Sequence, residues 1–161
     1  MPMNVTGPRQ PAVQDDTSGP DQHETQSLGY LARYAHRAFV KALERELAQH
    51  GILTAQWSVL RILWVTEGLT QVELAERMRV EKASLTGVLA GMERGGLILR
   101  TRNADDRRKI NIRLTARGRR LKAELLPYAA MINRRATRGM SEAEIVLLRK
   151  LLATVTENLE H

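Results

Sequence analysis

The feature that most constrains this chain is a change of hydrophobic period at Gly95-Gly96. Before it, apolar residues recur every three or four positions, the mark of helices with one buried face. After it, Leu97-Ile98-Leu99-Arg100-Thr101-Arg102 is a strand candidate. Ile110, Ile112 and Leu114 then alternate with Lys109, Asn111 and Arg113, the period expected of a half-exposed strand. The turn formers Asn103-Ala104-Asp105-Asp106 lie between, so 97–114 reads as a hairpin. A helical period resumes near Thr115. One hairpin inside a helical chain limits the choice of fold: mainly α with a small β-hairpin wing.

The helices can be bounded from the same pattern. Residues 28–49 carry Leu28, Leu31, Ala32, Ala35, Phe39, Ala42 and Leu43 at helical spacing, with Gly51 as a stop. A second helix spans about 54–67, placing Trp57, Leu60 and Trp64 on one side, and Gly68 ends it. Thr70-Gln71-Val72-Glu73 fits a capping box that opens a short third helix. A fourth runs from Lys82 to Arg94 with Leu85, Val88, Leu89 and Met92 inward. A long helix over 115–138 contains Pro127, which should kink or split it. Ser141-Glu142-Ala143-Glu144 caps a last helix over 141–158. The first 25 residues, rich in Pro, Gly, Gln and Asp, read as a flexible tail, leaving 26–161 as a single domain.

Composition excludes several functions. With no cysteine among 161 residues, disulfides, thiolate zinc sites and thiol redox switches are ruled out. His23, His36, His50 and His161 show no metal-ligand spacing. There is no nucleophile–base arrangement and no glycine-rich phosphate loop. The expectation is therefore no metal, no cofactor and no enzymatic activity. No apolar run approaches the roughly 20 residues of a membrane span, and no signal-peptide pattern opens the chain, so the expected location is the cytoplasm.

The net charge of +7 favours a polyanionic partner. Residues 94–122 hold eleven Lys or Arg against two acids, Asp105 and Asp106. That density falls on the hairpin, where a solvated charged surface is the plainer alternative. Two short helices, a tight turn and a basic hairpin form a winged helix-turn-helix layout. A helix fits the major groove of B-DNA, and a basic wing reaches the minor groove, where arginine favours narrow A·T tracts. About 100° per residue turns Ala83, Thr86, Gly87, Ala90 and Arg94 away from the core, with Ser84 and Gly91 flanking. Lys82, Ser84, Thr86 and Gly87 are thus the residues expected near bases.

The run Leu69-Thr70-Gln71-Val72-Glu73-Leu74-Ala75-Glu76-Arg77-Met78, then Met92-Glu93-Arg94 and Gly96-Leu97-Ile98, resembles the MarR family of bacterial regulators. So do Asp106-Arg107-Arg108-Lys109 in the wing and Leu114-Thr115-Ala116-Arg117-Gly118 after it. The likeness covers roughly 28–158. It implies a two-fold homodimer built by helices 28–49, 115–138 and 141–158, with the winged helix-turn-helix at 54–114 binding an inverted repeat in double-stranded DNA. Arg108 matches the wing arginine and Asp106 the residue that brace it, with Arg107 and Lys109 beside them. The resemblance further implies a repressor released by a small aromatic ligand, an aromatic acid or its coenzyme A thioester. Arg33, His36, Val40, Trp57 and Trp64 are the candidate lining, and core packing is the alternative role for Trp57 and Phe39. Leu28-Gly29-Tyr30-Leu31-Ala32-Arg33 with Trp57 also resembles members that govern breakdown of aromatic compounds. An architectural DNA binder without a ligand would share the charge and the wing.

Overall fold

The computed structural model describes residues 27–160; the expected tail lies outside the described residues. They hold six helices and three short strands: α1 (Leu28–Ala48), α2 (Thr54–Leu63), β1 (Leu69–Thr70), α3 (Gln71–Met78), α4 (Lys82–Arg94), β2 (Ile98–Arg102), β3 (Ile110–Leu114), α5 (Ala116–Ala136) and α6 (Glu142–Glu160). The chain divides into two units after His36, a point within α1. In the first, the Tyr30 and Tyr34 rings stack with centroids 4.3 Å apart. All the packing described below lies in the second.

The core is aliphatic. Leu60, Leu63, Leu74, Leu89, Met92, Ile98, Ile112, Leu114 and Leu125 are fully buried, each contributing about 1.5–3 kcal/mol by leaving water. They come from α2, α3, α4, both hairpin strands and α5, so one cluster fixes the helix pair against the wing. Trp57 belongs to it, whereas Phe39 is 41% exposed. The packing role considered for these two residues thus holds for the tryptophan only.

β2 pairs antiparallel with β3 from Ile98 opposite Leu114 to Arg102 opposite Ile110. β3 also pairs with β1, Leu69 opposite Ile112. This third strand escapes sequence reading because two residues carry no period. The alternation in β3 holds only in part. Ile112 and Leu114 are buried, but Ile110 at the wing end is exposed and Asn111 is buried. Asn103 Nδ2 donates to Asn111 Oδ1 at 3.3 Å, satisfying the enclosed amide.

Helix ends follow local chemistry. Thr70 and Glu73 cap α3 reciprocally: Thr70 N–H donates to the Glu73 carboxylate at 2.7 Å and Glu73 N–H to Thr70 Oγ1 at 3.3 Å. Ser141 and Glu144 do the same ahead of α6. In both, accepting these bonds holds the glutamate's pKa below its ordinary value. α2 ends at Leu63, earlier than the expected Glu67. Gly68, at φ +79°, then turns the chain into β1, a backbone angle that favours glycine. α5 runs through Pro127 as one helix rather than splitting there.

Candidate nucleic-acid interface

α3 and α4 form the helix pair, with Arg79 between them in the left-handed region at φ 54°. The inward face of α4 is anchored by Leu85, Leu89 and Met92, all buried. Its other side presents Lys82, Ala83, Ser84, Thr86 and Gly87 to solvent. A Cβ built on Gly87 would meet nothing within 4 Å. This face is small and unobstructed, which admits close approach of a groove wall.

The wing is organised by an asparagine that the sequence marked only as a turn former. Asn103 Oδ1 accepts the Asp105 N–H at 2.8 Å and the Asp106 N–H at 2.9 Å, the side-chain-closed turn typical of this residue. Asp106 Oδ1 in turn accepts from both the backbone N–H and the Nε of Arg108, each at 3.1 Å. The Arg108 guanidinium bond is the main cause that holds the Asp106 carboxyl below the usual aspartate range. Asp106 therefore stays ionised, and Arg108, 91% exposed, is held at its base while its tip faces solvent. Arg107 and Lys109 are exposed beside it.

The basic cluster of 94–122 divides by role. Arg119 forms a two-pronged pair with Glu67, at 2.8 Å for each bond. Glu67 also accepts the Leu114 N–H at 3.2 Å, and Arg119 is the leading cause that lowers its pKa. Arg117 donates to the Gly95 carbonyl at 2.7 Å, and Lys122 to the Trp64 carbonyl at 3.3 Å. These three cations at the start of α5 fasten it to the helix pair's lobe. On the hairpin, Arg100 pairs with Glu93 at 3.5 Å, while Arg107, Arg108 and Lys109 at the wing tip are exposed.

Gly118 sits at the same joint. A Cβ there would collide with the Leu97 carbonyl oxygen. Thr115 caps α5 by accepting the Gly118 N–H at 3.1 Å, and its hydroxyl donates to the Gly96 carbonyl at 2.7 Å. Trp64 Nε1 donates to the Gly118 carbonyl at 2.9 Å. The expected ligand-lining residues therefore separate. Trp64 packs edge-on to Trp57 with centroids 5.6 Å apart, and its one N–H is already used. Trp57 borders a cleft of about 590 Å³ with Arg61, Ile62, Arg77 and Met78. Sequence reasoning missed the two arginines, which sit in ordinary exposed helical positions. Arg61 lies over the Trp57 ring, 5.9 Å from its centre. Val40 is half-buried, while Arg33 and His36 are exposed on the first part of α1. Arg33 lies 5.6 Å from the Tyr34 ring centre.

Among the described residues, no group of three or more His, Asp or Glu is arranged to hold a metal ion, and no helix is long and apolar enough to cross a membrane.

Comparison with known proteins agrees with this architecture. The MarR family signature matches residues 52–110. The chain is 35% identical over 127 residues to the HTH-type transcriptional regulator TtmR of Methylorubrum extorquens, covering 77% of this chain and 65% of that protein. It is 34% identical over 100 residues to the homoprotocatechuate degradative operon repressor of Escherichia coli, covering 62% and 66%. The matches thus span just under two thirds of these relatives' own length. Among solved structures, Bordetella bronchiseptica BpsR, described in terms of regulation of its DNA binding by 6-hydroxynicotinic acid, superposes with a TM-score of 0.75 at 26% identity, covering 82% of this chain and 94% of that one. Its relatives are transcriptional regulators built on the same winged helix, and the chain belongs to the MarR family.

Proposed function

We propose that the protein is a homodimeric repressor that binds an inverted repeat in double-stranded DNA, with half-sites about one helical turn, or 10 base pairs, apart. The observation that carries this reading is the pairing of an open face on α4 with a wing whose Arg108 is held by Asp106 and still reaches solvent. Lys82, Ser84, Thr86 and Gly87 approach base edges. Arg107, Arg108 and Lys109 serve the backbone and minor groove. The dimer is supported by α6, where Val146, Leu151 and Leu152 are more than half exposed and no residue is buried. Such a stripe is costly to leave in water. Selection from random duplexes tests the reading: an enriched inverted repeat is expected, and enrichment of no motif would favour the architectural alternative.

A small aromatic acid is the proposed effector. The Trp57 cleft supplies an aromatic wall and two guanidinium groups, Arg61 and Arg77, which suit a ring carrying a carboxylate. Regulation of BpsR by such an acid and the degradative role named for the E. coli relative support the same class. Free acids and their coenzyme A thioesters are the two arms of the test. Release of operator DNA by one arm alone would identify the form, and release by neither would remove the effector from the mechanism.

A further inference from the structure

The second helix of the pair carries two hydroxyls on its open side, and the structure has treated them differently. Ser84 Oγ donates to the Glu81 carbonyl at 2.7 Å, so its proton is spent inside the protein. Thr86 has a different neighbour. Gln71, the first residue of α3, places its side-chain Nε2 at 3.0 Å from the Lys82 carbonyl and at 3.0 Å from Thr86 Oγ1. A carbonyl oxygen can only accept, so the Lys82 contact fixes which end of the Gln71 amide faces α4. The same nitrogen then donates its second hydrogen to Thr86. Thr86 accepts there on one of its two lone pairs, and its own proton is left for another partner.

A helical threonine usually disposes of that proton on the carbonyl four residues back. Thr137 does so to Asn133 at 3.0 Å and Thr156 to Leu152 at 2.9 Å. For Thr86 the corresponding carbonyl is that of Lys82, which Gln71 already engages, and the Thr86 hydroxyl makes no such bond. Thr86 is exposed, and Gly87 beside it leaves room for close approach.

We propose that Gln71 is a positioning residue that sets Thr86 as a hydrogen-bond donor, so that α4 reads an acceptor on a base edge at that point. In the major groove the acceptors are purine N7, guanine O6 and thymine O4; the amino groups of adenine and cytosine are mismatched to a donor. The inference rests on the DNA-reading function proposed above and adds the polarity of one contact and the residue that enforces it.

The test uses the intact protein, its selected operator, and a panel with each base pair changed in turn. Thr86→Val removes the hydroxyl at nearly constant shape. Gln71→Met removes the amide without adding charge and frees Thr86 to bond back to Lys82. Each variant is expected to lose about tenfold in operator affinity, or about 1.4 kcal/mol. Each should also flatten the base preference at the same single position, with unchanged thermal midpoint and unchanged binding to scrambled DNA. The double variant should lose no more than Thr86→Val alone, because Gln71 acts through Thr86. Thr86→Ser should keep the preference. Additive losses would overturn the proposal. So would an equal loss on scrambled DNA with a salt slope shallower by about 0.9, the mark of a phosphate contact. Unaffected variants of a protein that still prefers its operator would defeat this inference alone. A wild-type protein with no preference would defeat the repressor reading as well.

Discussion

The helix pair with its wing and the last helix treat similar side chains in opposite ways. α4 and β3 bury Leu85, Leu89, Met92, Ile112 and Leu114 in one shared cluster. α6 carries Leu148, Leu151, Leu152 and Val155 at helical spacing and buries none of them. Periodicity alone makes both regions look like core. The difference is that one region packs against itself, while the other leaves an apolar stripe exposed among the described residues, as a surface that meets a partner would. In the proposed dimer the two regions take separate tasks: the lobe meets DNA, and α6 pairs with a second copy to set the distance between two lobes.

The comparison breaks first at α6. Leu151→Asp is expected to leave the lobe folded, give a monomer by sedimentation velocity, and reduce operator affinity by more than about a hundredfold, because two linked half-site contacts become one. Unchanged sedimentation and affinity would deny α6 its role. The converse break lies at Gly118. Gly118→Ala drives a methyl into the Leu97 carbonyl and is expected to cost about 4 kcal/mol in urea unfolding. A cost within about 0.5 kcal/mol, ordinary for a surface site, would show that the joint can yield.

Two smaller changes sharpen the picture of the lobe. Arg108→Ala should weaken operator binding about tenfold and make the log–log salt dependence shallower by about 0.9 if a phosphate contact goes with it. Unchanged affinity would remove the wing from the mechanism. The smallest effect belongs to Glu67. Its folded pKa lies below the ordinary value of 4.5, chiefly through Arg119. Its stabilisation is therefore fully present above that value and lost as pH falls through the lowered one. Glu67→Gln should cost about 1 kcal/mol or less at neutral pH, and the difference from wild type should vanish in acid. A difference that persists in acid would mean that the pair is not its source.

Much of this was legible in the sequence because it is local. Helical spacing placed the open face of α4, alternation placed the hairpin, and the Thr70–Glu73 and Ser141–Glu144 boxes placed two helix starts. The contacts that sequence reasoning missed join positions far apart in the chain. Glu67 and Arg119 are 52 residues apart, and Gln71 and Thr86 are 15 apart. Neither pair has a local signal. Likewise, Asn103 was legible as a turn former, but its bond to a buried Asn111 was not. The charge cluster misled in part, since Arg117, Arg119 and Lys122 serve the joint at α5. The residues expected to line a ligand scattered for a related reason: helical spacing reports which residues share a face of one helix, while a cleft such as that beside Trp57 needs two.

The most direct measurement is fluorescence anisotropy of the intact protein on the DNA upstream of its own gene, against a scrambled duplex of equal length, at near-physiological salt. A preference of about a thousandfold, typical of specific regulators, is predicted. Equal and steeply salt-dependent binding to that duplex, to the scrambled one and to any duplex recovered by selection would contradict it, leaving a lobe that grips the phosphate backbone without reading sequence.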